Sequence, residues 1–98
     1  MLDYTVLSAV AEQMMNGMSV SIEGANYKVM RTGSRHFRTV RFLMGGTEYQ
    51  AIEQNAEKPS RWGQLAREGH RVVQVRDLAS ERYVAVVVDG KVTEYSRR

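Results

Sequence analysis

Apolar residues recur at helical spacing only near the start of the chain. Leu7, Val10, Ala11, Met14 and Met18 fall three or four apart, which predicts an amphipathic helix over residues 3–16. Asp3 stands where an N-cap belongs. Leu2 and Leu7 then occupy the two positions of a hydrophobic staple, and Gly17 stops the helix. Beyond Gly17 the period drops to two. Met18, Val20 and Ile22 alternate with Ser19, Ser21 and Glu23, the pattern of a half-buried strand over residues 18–23. Gly24, Ala25 and Asn26 turn the chain into a second strand at 27–32, so 18–32 reads as a hairpin.

Residues 35–44 are also β-rich, but their parity is imperfect. Val40, Phe42 and Met44 share a face while Phe37 has the opposite parity. A bulge near Arg38 and Thr39, or a loop over the first residues, would reconcile them. Gly45-Gly46 then signals a tight hairpin into a strand at 47–52. A polar connection at 53–58 leads to a short helix. Pro59 suits its first turn, or Ser60 its N-cap. Trp62, Leu65 and Ala66 form one apolar stripe, and Gly69 ends it. A helix of two or three turns is marginal alone, so Trp62 and Leu65 are expected to plug it into the core. A strand at 71–76 and a loop at 77–81 follow. Residues 82–88 are apolar at both parities, which predicts a central strand covered on both faces. Asp89-Gly90 is a type I′ turn signature, and residues 91–95 pair back as the last strand. The final residues, 96–98, make a short tail.

The order is one helix, four strands, a short helix and three strands. Consecutive hairpins give an antiparallel sheet, and the helices make the class α+β. The expectation is a single domain over residues 1–98: a barrel-like or strongly curled sheet of about six to seven strands, an N-terminal helix packed on it, and the short helix between strands 4 and 5. Its expected core is Leu7, Val10, Met14, Val20, Ile22, Val40, Phe42, Trp62, Leu65, Val73, Val75, Val84 and Val86.

Composition changes this picture little. The chain has 98 residues, enough for one core, and is 43% hydrophobic and 26% charged, as in an ordinary globular domain. No stretch approaches the roughly 18 apolar residues of a membrane span. Asp3 and the lack of early positive charge argue against a secretory signal. The absence of cysteine removes disulfide and thiolate chemistry and fits a reducing cytoplasm. No dedicated metal-ligand spacing, phosphate loop or dinucleotide fingerprint occurs, so neither metal nor cofactor is expected.

Charge placement adds more. Net charge is +3, with 11 Arg against 3 Lys. Residues 27–42 carry Lys28, Arg31, Arg35, Arg38 and Arg41, with His36 among them and no acid. Arg61, Arg67, His70 and Arg71 form a second basic group. Guanidinium groups match phosphates, and interleaved rings stack on bases, so these ten residues are the candidate nucleic-acid-binding surface. A net charge of +3 is modest for such a role. The leading expectation is therefore a small non-enzymatic binding module, a protein-interaction or homo-oligomerisation domain using an exposed sheet edge and the first helix. DNA or RNA binding through the hairpin around 27–42 is the alternative. A weaker one is a small-molecule or catalytic pocket under the first helix, lined by Met14, Met18, Phe42 and Tyr83. Catalysis would require His36 or His70 in a concave pocket with an acid in hydrogen-bond reach.

Overall fold

A computed structural model describes residues 2–17, 20–33 and 35–95. Helix α1 spans Tyr4–Met15, as the apolar period predicts. Asp3 caps it, its carboxylate accepting from the amides of Thr5 at 3.0 Å and Val6 at 3.2 Å. Six strands follow: β1 (Asn26–Thr32), β2 (Arg35–Met44), β3 (Thr47–Glu53), β4 (Val72–Asp77), β5 (Arg82–Val88) and β6 (Lys91–Glu94). Helix α2 (Arg61–Arg67) lies between β3 and β4. Spatial order equals chain order, each pair of neighbours is antiparallel, and β1 and β6 are open edges. The architecture is thus α+β with an open antiparallel sheet. Among the described residues no helix is long and apolar enough to cross a membrane.

The turns form where glycine permits them. Gly45 and Gly46 have φ of 60° and 78°, and Asp89 and Gly90 have 50° and 85°. Positive φ at both central residues is the condition for the tight turn that suits sheet twist.

Cross-strand partners share a face, so the register sorts every strand residue. Val40, Ala51, Val75 and Ala85 form one row, and Phe42 and Tyr49 head the next. This face meets α1. Leu7, Val10, Ala11 and Met14 close over Val40, Phe42, Met44, Ala51, Val73, Val75, Ala85 and Val87 in one buried cluster. The other face carries Lys28, Met30, Arg35, Phe37, Thr39, Arg41, Gln50, Ile52, Gln74, Arg76 and Val86. We call it the distal face. Val72 and Val86 are fully buried yet stand outside the α1-side cluster. Strand β5 is therefore buried on both faces at Ala85, Val86 and Val87, but Tyr83 is half exposed and the strand lies next to the edge, not at the centre of the sheet.

Four local expectations need correction. Residues 20–23 form no strand; Met18 and Ser19 lie outside the described residues. Val20 and Ile22 still pack on the core, while the Ser21 amide donates to Gln13 Oε1 and the Leu43 amide to the Glu23 carbonyl. Alternation reported burial there, and held by α1 and β2 the segment needs no ladder. The strand at 26–32 therefore pairs with β2 and not with 18–23, and α2 follows the third observed strand at the same place in the chain. Second, β2 is regular from Arg35 and pairs with β1 without a break. Phe37 needs neither bulge nor loop, because it faces the distal side. Third, Trp62 and Leu65 are half-buried and outside the main cluster. Helix α1 already fills that side, and α2 packs on β4. Fourth, the buried residue of α2 is Gly63. A Cβ there would stand 2.1 Å from the Lys58 carbonyl oxygen, so only glycine lets the connection lie against the helix. Ser60 is the N-cap, accepting from the Gly63 amide at 3.1 Å, so Pro59 precedes the helix and does not sit in its first turn.

Candidate functional site

Pairing places Thr32 against Arg35 at the mouth of the β1–β2 turn. Gly45-Gly46 is a two-residue turn, so Met44 and Thr47 form a hydrogen-bonded pair; even-numbered residues of β2 then bond to β3, and its odd-numbered ones bond to Lys28, Met30 and Thr32 of β1. The N–H and C=O groups of Tyr27, Val29 and Arg31 therefore point away from β2, towards the open edge. All seven residues of β1 are exposed. Its large apolar side chains are among the most exposed of the chain: Val29 at 51%, Met30 at 46% and Tyr27 at 39%.

The ten basic candidates are not gathered on one surface. Lys28, Arg35 and Arg41 occupy the distal face of the hairpin, and Arg31, His36 and Arg38 the α1 side. Several serve the fold itself. Arg38 Nη1 donates to the Met15 carbonyl at 2.8 Å, closing the C-terminal end of α1. Arg31 Nε donates to His36 Nε2 at 3.0 Å across the pair. Arg35 forms an ion pair with Glu57. Arg67 donates to the carbonyls of Ala56 and Lys58 and clamps the connection onto α2. Arg61 lies 5.2 Å from the centre of the Trp62 ring. Arg71 donates to Asn16 Oδ1 at 2.7 Å. Among the described residues, the side chains of Lys28 and Arg41 make no hydrogen bond or ion pair.

His70 meets part of the requirement set for catalysis. Its Nδ1 lies 2.6 Å from Asp89 Oδ2, and it borders a cavity of about 220 Å³ between the end of α1 and α2. Asp89 also accepts from the Arg71 amide at 2.9 Å. That amide, then the His70 ring, hold its carboxyl below the ordinary value of 3.8. An oriented imidazole beside a cavity could act as a base. Yet no Ser, Thr or Cys lines that cavity, and both partners are about half exposed. Asp89 also ties the entry of β4 to the β5–β6 turn, which is a sufficient structural role. Among the described residues there is no cluster of three or more potential metal ligands.

The pocket expected under α1 is not built from its named residues. Met14 and Phe42 are fully buried, Tyr83 is half exposed on the distal face, and Met18 lies outside the described residues. A cavity does exist, on the other side of the sheet. Phe37, Ile52 and Gln74 meet Tyr83 around about 300 Å³ of space walled by the connection 53–58. An adjoining hollow is shared by Gln54, Gln74, Tyr83 and Tyr95. Gln74 Nε2 donates to Gln54 Oε1 at 2.8 Å, and the Tyr95 hydroxyl donates to Gln74 Oε1. Burial pushes the Tyr95 phenol above its ordinary 10.0.

Tyr83 reaches this face through a bulge. Val75 pairs with Ala85, but Arg76 pairs with Tyr83, leaving Val84 as the extra residue. In a regular strand Tyr83 would share the α1 face with Ala85 and Val87. None of these residues was singled out by sequence as a distal-face site. The parity fault at Phe37, and glutamines at the strand positions Gln50 and Gln74, are the signals that pointed there.

No protein-family model, curated protein sequence or solved structure matches this chain, so the functional reading rests on its own residues.

Proposed function

We propose that this chain is a small non-enzymatic interaction module that assembles with a second copy of itself through β1. The observation that carries the reading is the edge strand: seven residues, all exposed, apolar at three positions, with unpaired backbone groups on its outer side. Protein edges are normally blunted by shortness, proline, charge or a cover. The opposite edge fits that rule. Strand β6 has four residues, and α1 lies beside it, with Tyr4 donating to Glu94 and Ser8 to the Gly90 carbonyl. Strand β1 has neither shortness nor proline.

The sequence of β1 suits its own copy. An antiparallel pair centred on Val29 joins the outward-facing residues Tyr27, Val29 and Arg31 to Arg31, Val29 and Tyr27 of the other copy. Two hydrogen bonds at each of these pairs give about six in all. Tyr27 then faces Arg31, a cation–π pairing, and Lys28 faces Met30. No like charges stand directly opposite, which is the arrangement that cross-strand pairing rewards.

Sedimentation velocity tests this. The expected result is a reversible dimer at concentrations up to about 100 μM, and at least a tenfold weaker one for Val29→Lys, which sets two ammonium groups at the symmetry centre. A monomer at all concentrations, or a Val29→Lys dimer of unchanged affinity, overturns it. A monomer that binds single-stranded RNA at low salt and loses it on Arg41→Ala would assign the hairpin to a polyanion instead.

A further inference from the structure

We infer that the distal face holds a binding site for a small planar aromatic molecule carrying an anionic group, seated between Phe37, Ile52 and Tyr83 over the Gln54–Gln74 amide pair. A cavity of about 300 Å³ is at the lower end of the size that small-molecule sites take. Its lining has the corresponding composition: aromatic and aliphatic walls with a few polar groups in fixed places.

Those polar groups form a directed chain. Tyr95 donates to Gln74, Gln74 to Gln54, and Gln54 Nε2 to the Asn55 carbonyl at 3.1 Å. Each amide nitrogen has two hydrogens and each amide oxygen two acceptor positions. The chain therefore orients both glutamines and leaves each with a spare N–H. Gln74 also keeps a spare acceptor site. A ring carrying its own donor and acceptor can meet both.

The walls are built to stay in place. The bulge at Val84 turns Tyr83 onto this face, and bulges characteristically re-aim a side chain beside a site. Arg67 clamps the connection that forms the opposite wall, and the Arg35–Glu57 pair fastens the hairpin tip to that connection.

Charge selects the ligand class. Lys58 lines the cavity, and among the described residues its ammonium makes no hydrogen bond or ion pair. Glu53 also borders it, but by register it shares the α1 side of the sheet with Val73, and its carboxylate is engaged by the Arg38 amide at 3.0 Å. One step along the same face, across from Tyr83, Arg76 donates to the neutral Gln50 at 2.9 Å, and its Nε is buried without an acceptor. A buried N–H on a cation with no carboxylate beside it is costly, and an anion near this row relieves it. Aromatic rings, amide edges and unneutralised cations together favour an aromatic anion.

The test uses the whole chain and indole-3-acetate as the probe, with neutral indole-3-acetamide as its control, followed by amide and methyl NMR shifts. Saturable binding with Kd of about 1 mM or tighter is expected for a ligand of this size. Shifts should concentrate on the side-chain amides of Gln54 and Gln74 and the methyl groups of Ile52. Tyr83→Ala, at a half-exposed position, should weaken binding about tenfold, and Lys58→Ala or the neutral probe several-fold. No saturation by about 10 mM, shifts centred elsewhere, or unchanged affinity in Tyr83→Ala overturns the site. Equal affinity for the two probes overturns its anionic preference. Val29→Lys should bind indole-3-acetate normally, so failure of this site and failure of β1 assembly are read separately.

Discussion

Gln74 and Val75 are neighbours in β4, yet they meet different solvents. Val75 is fully buried against α1 among side chains with no polar atom to satisfy. Gln74 points the other way, into a tyrosine and a glutamine that use both ends of its amide. The α1 face is closed: twelve helical residues lie over it and the apolar positions interdigitate. The distal face is covered only in part. It buries Val72 and Val86, and elsewhere it relies on hydrogen bonds from Thr39 to the Lys28 carbonyl, from Arg76 to Gln50, and along Tyr95, Gln74 and Gln54. One face is complementary to itself. The other keeps unsatisfied valences and open volume, which is the condition for binding something else.

The largest test of that contrast is Phe42→Ala. Phe42 is fully buried and stacks on Tyr49 with centroids 6.0 Å apart. Truncation should cost about 3–5 kcal/mol in urea unfolding. A cost below about 1 kcal/mol would mean that the α1 face is not the closed one. Next is Gly63→Ala. Helix propensity alone predicts a gain of about 1 kcal/mol. The contact with the Lys58 carbonyl predicts a loss of about 1–3 kcal/mol instead, visible as a lower urea midpoint. Removing the α1 cap by Asp3→Ala should cost about 1 kcal/mol.

Gln74→Leu should cost about 1 kcal/mol: it takes the partner from the Tyr95 hydroxyl and the Gln54 amide oxygen, and water entering the adjoining hollow replaces it. A loss as large as that of Phe42→Ala would erase the difference between the faces. The smallest effect concerns acid. Asp89 has a folded pKa below 3.8, so the stability it contributes is present above that value and is lost as pH falls through and below it. Asp89→Asn should therefore show a flatter acid limb in unfolding curves below about pH 4.

Much of the architecture was legible along the chain because local rules agree there. The spacing of Leu7, Val10 and Met14 sets α1, Asp3 caps it, and Gly45-Gly46 and Asp89-Gly90 turn where positive φ is tolerated. The double parity of 82–88 announces the burial of Ala85, Val86 and Val87 on both faces. The reading failed where pattern reports burial without naming the partner. Val20 and Ile22 alternate like a strand but are buried by α1 and β2 without a ladder. Trp62 and Leu65 have a helical stripe, yet the seam they would fill is already occupied.

The basic candidates show the same limit. A run from Lys28 to Arg41 is continuous in sequence, but a strand sends successive side chains to opposite faces, and Arg38 is drawn away to an α1 carbonyl. By itself the sequence determined which segments are helix and strand, where they turn, and which residues seek burial, because these follow from periodicity and backbone freedom within a few residues. Only the tertiary structure decided which face each residue serves. The single extra residue at Val84 reverses Tyr83, and the pairing that creates this bulge joins segments whose register no local pattern states.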